Sequence, residues 1–375
     1  MLWTKTMTAP LVARLQSELL TTGDPASRAL LSVQIACYLA RVGEFDEAER
    51  LRLELRKEYG DGRNAAVSIR IMCLEALILY FKDLSPNARD RLARANLLAV
   101  ACNEARLVAF TFAWLAHVDF NLGRYEAMAM DVRKCLAEIE ADDGNALCRV
   151  SLVLGDAFAY AMQEESERHW YEQARVVANK LGDQAAIGAV TYNRAALHVA
   201  NARVRCLMTP IRTAAITMLD AEVRSAVNYQ NVARLTSLDH LLGSASVGVM
   251  MLGEKYEDAL KVIETLISAS SVPKGSAALA LLFADAAVSL ARTGQSTRAA
   301  EKAALVLEFP VHTFTADDRA VLFGSLCNFA TAVEDKGAES SYGNRRDEAL
   351  SEHQATISAL QKLLEPYAPG PKKPA

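Results

Sequence analysis

The sequence predicts an all-α fold, a right-handed α-solenoid of about eight antiparallel helical hairpins. Three observations carry that prediction. The chain has 375 residues, 51% of them hydrophobic and 23% charged, with Ala and Leu prominent. That balance favours helices and leaves strands short of β-branched and aromatic residues. No segment sustains the two-residue alternation of a strand between hairpin turns. Finally, one short signal returns along the chain: "RVGEFDEAER" is echoed by "NLGRYEAMAM", "MLGEKYEDAL", "RTGQSTRAAE" and "YGNRRDEALS". Gly43 and Gly123 lie two steps of 40 apart, and Gly253 and Gly294 one step of 41. A fixed period of this length marks stacked repeats, and the chain length divided by it gives about eight units.

Taken in order, residues 1–28 read as an N-terminal helical cap. "MLWTKTMTAPLVARLQ" lacks the apolar core of a signal peptide, and from Met7 the chain reads as a helix entry with Thr8 as its cap. The repeat array is expected over 29–364. Steps of about 40 from Gly43 land at Asp83 in "FKDLSPNARD", Gly123, Gln163 in "YAMQEESERH" and Arg203 in "ANARVRCL", each read as a break between helices. Within a unit, an apolar helix runs up to the glycine, where the chain must leave with positive φ. The ring that follows (Phe45, Tyr125, Tyr256) covers the turn. An acid near the next helix start suits the positive end of its dipole. A small alanine (Ala48, Ala127, Ala259, Ala299, Ala349) lets the second helix pack closely on the first.

Between Ala214 and Leu252 no breaker occurs before Gly243, so this stretch reads as an unusually long first helix. After Gly253, Leu260, Ile263, Leu266 and Ile267 recur at helical spacing. "SAALALLFADAAVSLA", Ser276–Ala291, is apolar but short for a membrane span and carries Asp285 in its middle, so it reads as a buried helix. The last break is placed in "DKGAESSYGNRRDEAL", with Gly337 or Gly343 at the turn. Residues 365–375, "EPYAPGPKKPA", read as a disordered tail.

"YLARVGEFDEAERL" and "VMMLGEKYEDALKVI" resemble the tetratricopeptide repeat, in which a helix ends in glycine, an aromatic follows and an alanine opens the second helix. The period of about 40 is longer than that family's usual 34. It is similar to the divergent repeats of bacterial regulators, particularly the sensor arms of large ATP-dependent transcription activators and peptide-sensing regulators. The resemblance implies a concave groove lined by the first helix of each pair. In the family's register, Phe110, Trp114, His117, Phe120 and Asn121 line that groove as an aromatic strip with polar tips. Asn193, Arg194 and Asn201 follow two repeats later, of the residue types that hold a peptide backbone or carboxylate. The implied function is a scaffold or adaptor that binds a peptide or protein segment in the groove. The alternative is a ligand- or peptide-sensing regulatory module that acts through a partner.

The remaining chemistry is sparse. A formal charge of −4 gives no basic excess, so nucleic acid is not an expected partner. Seven scattered cysteines without CxxC argue against a disulfide framework or zinc module and for buried thiols in the cytoplasm. No histidine pair has HxxxH spacing, and no phosphate-binding loop, GxGxxG or GxSxG occurs. His169, with Glu165 and Glu172 on the same helical face, reads as an exposed salt-bridged surface. No catalytic residue, metal or cofactor is expected, and no membrane association.

Overall fold

The computed structural model describes residues 9–60, 62–140, 142–237, 239–269 and 272–369. Among them are seventeen α-helices and no strand. α1 (Pro10–Thr21) precedes eight helical hairpins: α2 (Pro25–Val42) with α3 (Phe45–Tyr59), α4 (Ala65–Asp83) with α5 (Asn87–Ala101), α6 (Ala105–Asn121) with α7 (Tyr125–Glu138), and α8 (Gly144–Tyr160) with α9 (Glu164–Leu181). There follow α10 (Gln184–Cys206) with α11 (Thr213–Ala233), α12 (Asp239–Leu252) with α13 (Tyr256–Ser268), α14 (Ala277–Arg292) with α15 (Ser296–Val306), and α16 (Ala316–Ala332) with α17 (Lys336–Leu364). The α-solenoid anticipated from the period is therefore present, hairpin by hairpin.

The two helices of a hairpin begin differently, for a reason visible in the sequence. First helices α2, α4, α8, α10 and α14 open on Asp24, Asn64, Asp143, Asp183 and Ser276, whose side chains accept a backbone N–H of the first turn. Second helices α3, α5, α7, α9 and α13 carry no such cap, whereas α17 has one in Asp335, which accepts the Ala338 N–H. The former hold acids in the first turn instead, such as Asp46 and Glu47, Glu126, or Glu257 and Asp258. Ala48, Ala259 and Ala299 are fully buried against the preceding helix, as their size requires.

The turn itself is left-handed at Gly43, Gly123 and Gly294, with φ of 91°, 67° and 80°. Elsewhere the same conformation falls on Leu84, Met162, Glu254 and Glu334. Glycine thus relieves strain at some turns and is not required at all. Four sequence expectations are corrected here. Arg203 lies inside α10, and the break comes after Cys206. The stretch from Ala214 to Leu252 is not one helix: Arg234, at φ 54°, ends α11, and Gly243 lies within α12. The final turn is at Glu334, with Gly337 and Gly343 inside α17. The tail is ordered at its start, where Glu365–Tyr367 form a 3₁₀ turn and the Tyr367 hydroxyl donates to the Ala129 carbonyl at 3.2 Å. Residues 370–375 and Thr8 lie outside the described residues.

The array rolls until distant hairpins touch. Arg41 on α2 pairs with Asp183 at the start of α10 at 2.8 Å, the Leu11 N–H donates to the Gly182 carbonyl at 3.1 Å, and the Thr236 N–H donates to the Val42 carbonyl at 3.0 Å. The second half closes likewise. Arg203 on α10 pairs with Asp285 on α14 at 2.6 Å, and the Tyr160 hydroxyl donates to Asp317 on α16 at 3.0 Å. Gln361 donates to the Ala161 carbonyl and the Trp170 indole to the Tyr367 carbonyl, both at 2.9 Å. First helices consequently face inward, and each half of the array surrounds a cavity.

Candidate functional site

The first cavity, 50 Å³ in volume, is lined from α2 (Gln34, Cys37, Arg41), α4 (Arg70, Leu77), α6 (Phe110, Trp114), α8 (Asn145, Cys148, Arg149) and α10 (Ala186), with Asp183 at its edge. Five successive first helices share it, so it lies on the inner face. α1 contributes Leu11 and Leu15 to its wall. Three guanidinium groups meet one carboxylate here. Arg149 stacks on Trp114 at 3.8 Å and Arg70 on Phe110 at 4.1 Å.

The second cavity, 260 Å³, lies between α10, α12, α14 and α16. Its walls are apolar (Val199, Leu282, Val321) with Tyr192, Arg203, Asp285, Asp317 and Asp318 among them. The charge is reversed: three carboxyls to one guanidinium. Asp285 is buried, and its Oδ1 accepts from Arg203 and from Ser325 at 3.0 Å, while Oδ2 has no partner among the described residues. Burial, reinforced by Asp317, pushes the Asp318 carboxyl up to about 7.

The eight residues singled out in the sequence do not form one groove. Phe110 and Trp114 line the first cavity. His117 is buried edge-on to Tyr80 and Trp114, and burial, with Arg149 nearby, drives its pKa well below the ordinary imidazole value. Phe120 packs between Tyr125 and Tyr160, and the Asn121 amide turns back to the His117 carbonyl at 2.8 Å. Asn193 donates to both oxygens of buried Asp156 inside the fold, and Asn201 donates to the Ala159 carbonyl while lining the groove between α9, α10 and α11 that Arg194 also faces. Arg194 faces a separate outer groove of 820 Å³ between α9, α10 and α11, within 3.5 Å of Glu222 and 3.7 Å of Glu167. Beside it, His198 sits between the same two acids, Nδ1 2.8 Å from Glu222 and Nε2 2.9 Å from Glu167.

Sequence reasoning missed Arg41, Arg70, Arg149, Asp317 and Asp318. A signal existed for two of them: "SIRIMCLEAL" and "LCRVSLVLG" each place an arginine within the apolar run of a first helix. His169 is exposed, its ring edge-on to Trp170, and Glu172 pairs with Arg175 at 2.6 Å. No group of three His, Cys, Asp or Glu side chains among the described residues could hold a metal ion. None of the described helices is long and apolar enough to cross a membrane.

No family model and no curated protein matches the chain. Among solved structures it is similar to a Rap protein complexed with Competence and Sporulation Factor, at a TM-score of 0.54 and 11% identity, over 90% of this chain and 92% of that one. At that identity the likeness is one of fold, and the chain is folded as a tetratricopeptide-like helical repeat.

Proposed function

We propose that the chain is a binding module that holds a peptide or protein segment on the inner face of its superhelix. The second cavity carries this reading. It combines apolar walls, which anchor a side chain, with surplus carboxyls that have acceptor capacity left for a basic group or a backbone N–H. The similar solved structure, itself complexed with a factor, supports a binding role. The test uses the full chain with a benzophenone side chain at Leu281, which lines this cavity, or at Leu97, exposed on α5. A randomised peptide pool is expected to crosslink at Leu281 and scarcely at Leu97. Equal yields at the two positions would overturn the reading.

A regulatory variant of the same function is favoured by α1. Its Leu11 and Leu15 line the first cavity, so a ligand that enters there and the placement of α1 are linked. Ligand-dependent compaction in small-angle scattering supports this variant, and an unchanged profile supports a passive adaptor.

A further inference from the structure

Arg149 is an anomaly within the folded interior. The residue is 6% exposed and lines the first cavity, yet among the described residues its side chain donates no hydrogen bond and forms no ion pair. A buried charge left unanswered costs several kcal/mol. Burial, with Arg41 adding to it, pulls the Arg149 pKa down to about 10, which still leaves the group charged near neutral pH. The contact with Trp114 uses only the face of the guanidinium, and its donors, which lie in the plane, remain unspent.

Arg70 repeats the pattern in the same cavity. It stacks on Phe110 and likewise has neither a hydrogen bond nor an ion pair among the described residues. Arg41 is already committed to Asp183. Two guanidinium groups are thus in surplus around 50 Å³ of space. At about 10–15 Å³ per water, that volume holds a few waters, enough for an oxyanion and too little for a length of peptide. Leu11, Leu15 and Leu77 make part of the wall apolar, which strengthens charge pairing inside.

We propose that this cavity is a binding site for a small oxyanion, either phosphate or the carboxylate of a small organic acid, held by Arg149 and Arg70. A cation is repelled by the surplus charge, and a neutral ligand leaves both guanidinium groups unanswered. The bidentate match between guanidinium and oxyanion supplies the recognition. This site is separate from the cavity assigned to the peptide, and either reading can fail alone.

The test is calorimetric titration of the full chain with potassium phosphate and, separately, potassium succinate, in chloride of matched ionic strength. One-to-one binding of at least one of them is expected, and the tighter of the two identifies the source of the oxyanion. Arg149→Gln and Arg70→Gln are each expected to weaken it at least about tenfold, the loss of roughly one charge-assisted hydrogen bond. Arg149→Gln removes an unanswered charge, so its unliganded melting temperature should equal or exceed that of the wild type. Should that variant fail to fold, half-buried Arg70 carries the same comparison. No saturable heat with either anion, or equal affinity in the folded variants, overturns the proposal.

Discussion

His198 offers a prediction whose size can be worked from geometry. Both ring nitrogens face carboxylate oxygens, Nδ1 at Glu222 and Nε2 at Glu167, at 2.8 and 2.9 Å. A neutral imidazole can donate to only one of them, so the arrangement requires the doubly protonated ring. Burial pulls the pKa down, but the hydrogen bonds to Glu167 and Glu222, with their charges, together raise it to about 9. Relative to an ordinary imidazole, that difference corresponds to about 3 kcal/mol in favour of the charged ring in the folded chain. Because the folded value lies above the unfolded one, this stabilisation is complete below pH 6.5 or so and is lost as pH rises through about 9. The perturbation is His198→Gln, with urea unfolding measured at pH 6 and pH 9.5. Wild type should lose about 2–3 kcal/mol more than the variant across that interval, with the lower figure allowing for partial solvent screening. A proton NMR titration assigned by the same variant should place the ring well above an ordinary imidazole. Titration near 6.5, or equal pH slopes for the two proteins, would refute the charged bridge.

Two further outcomes follow from the closures of the array. At Gly43, φ is 91° and a Cβ would meet Thr236 Oγ1 and come within 2.8 Å of the Ser237 backbone nitrogen. Gly43→Ala should therefore cost at least about 2 kcal/mol in chemical unfolding, well beyond a typical surface glycine replacement. Asp183 both pairs with Arg41 and caps α10 through the Ala186 N–H at 3.0 Å. Asp183→Ala should cost about 3–5 kcal/mol and leave Arg41 buried without its partner. Small-angle scattering should show a larger radius of gyration, and an unchanged radius would mean that the other closures suffice.

The hairpins were legible because each repeats a local instruction. A left-handed exit, an acid at the second helix start and a small residue at the crossing are all encoded within a dozen positions. The reading slipped where a residue without a signature performed the turn. Arg234 takes the left-handed conformation that no breaker announces, and Glu334 does so three and nine positions before glycines that turned out to be helical. The site was harder to read because it is assembled across the roll. Arg41, Arg70 and Arg149 belong to three hairpins, and only closure of the first turn brings them to one cavity. Phe110 and Trp114, expected in a groove from the repeat register and their spacing on one helix, line this cavity. Asn193 and Arg194 were adjacent in sequence and so could not share a face: one is held by Asp156 inside, and the other looks out toward Glu222.

The staples between distant hairpins also bear on how the chain folds. An array whose units touch only their neighbours gains structure like a row of dominoes, from any starting point, and can lose an end without losing the rest. Here, Arg41 meets a residue 142 positions away, and Gln361 one 200 positions away. Such contacts form only after long loops have closed, so they raise the contact order and slow the search. They also bind the fate of the two ends together. Unfolding should proceed in a few large steps rather than by fraying, with the first hairpin as hard to remove as the fifth on which it rests.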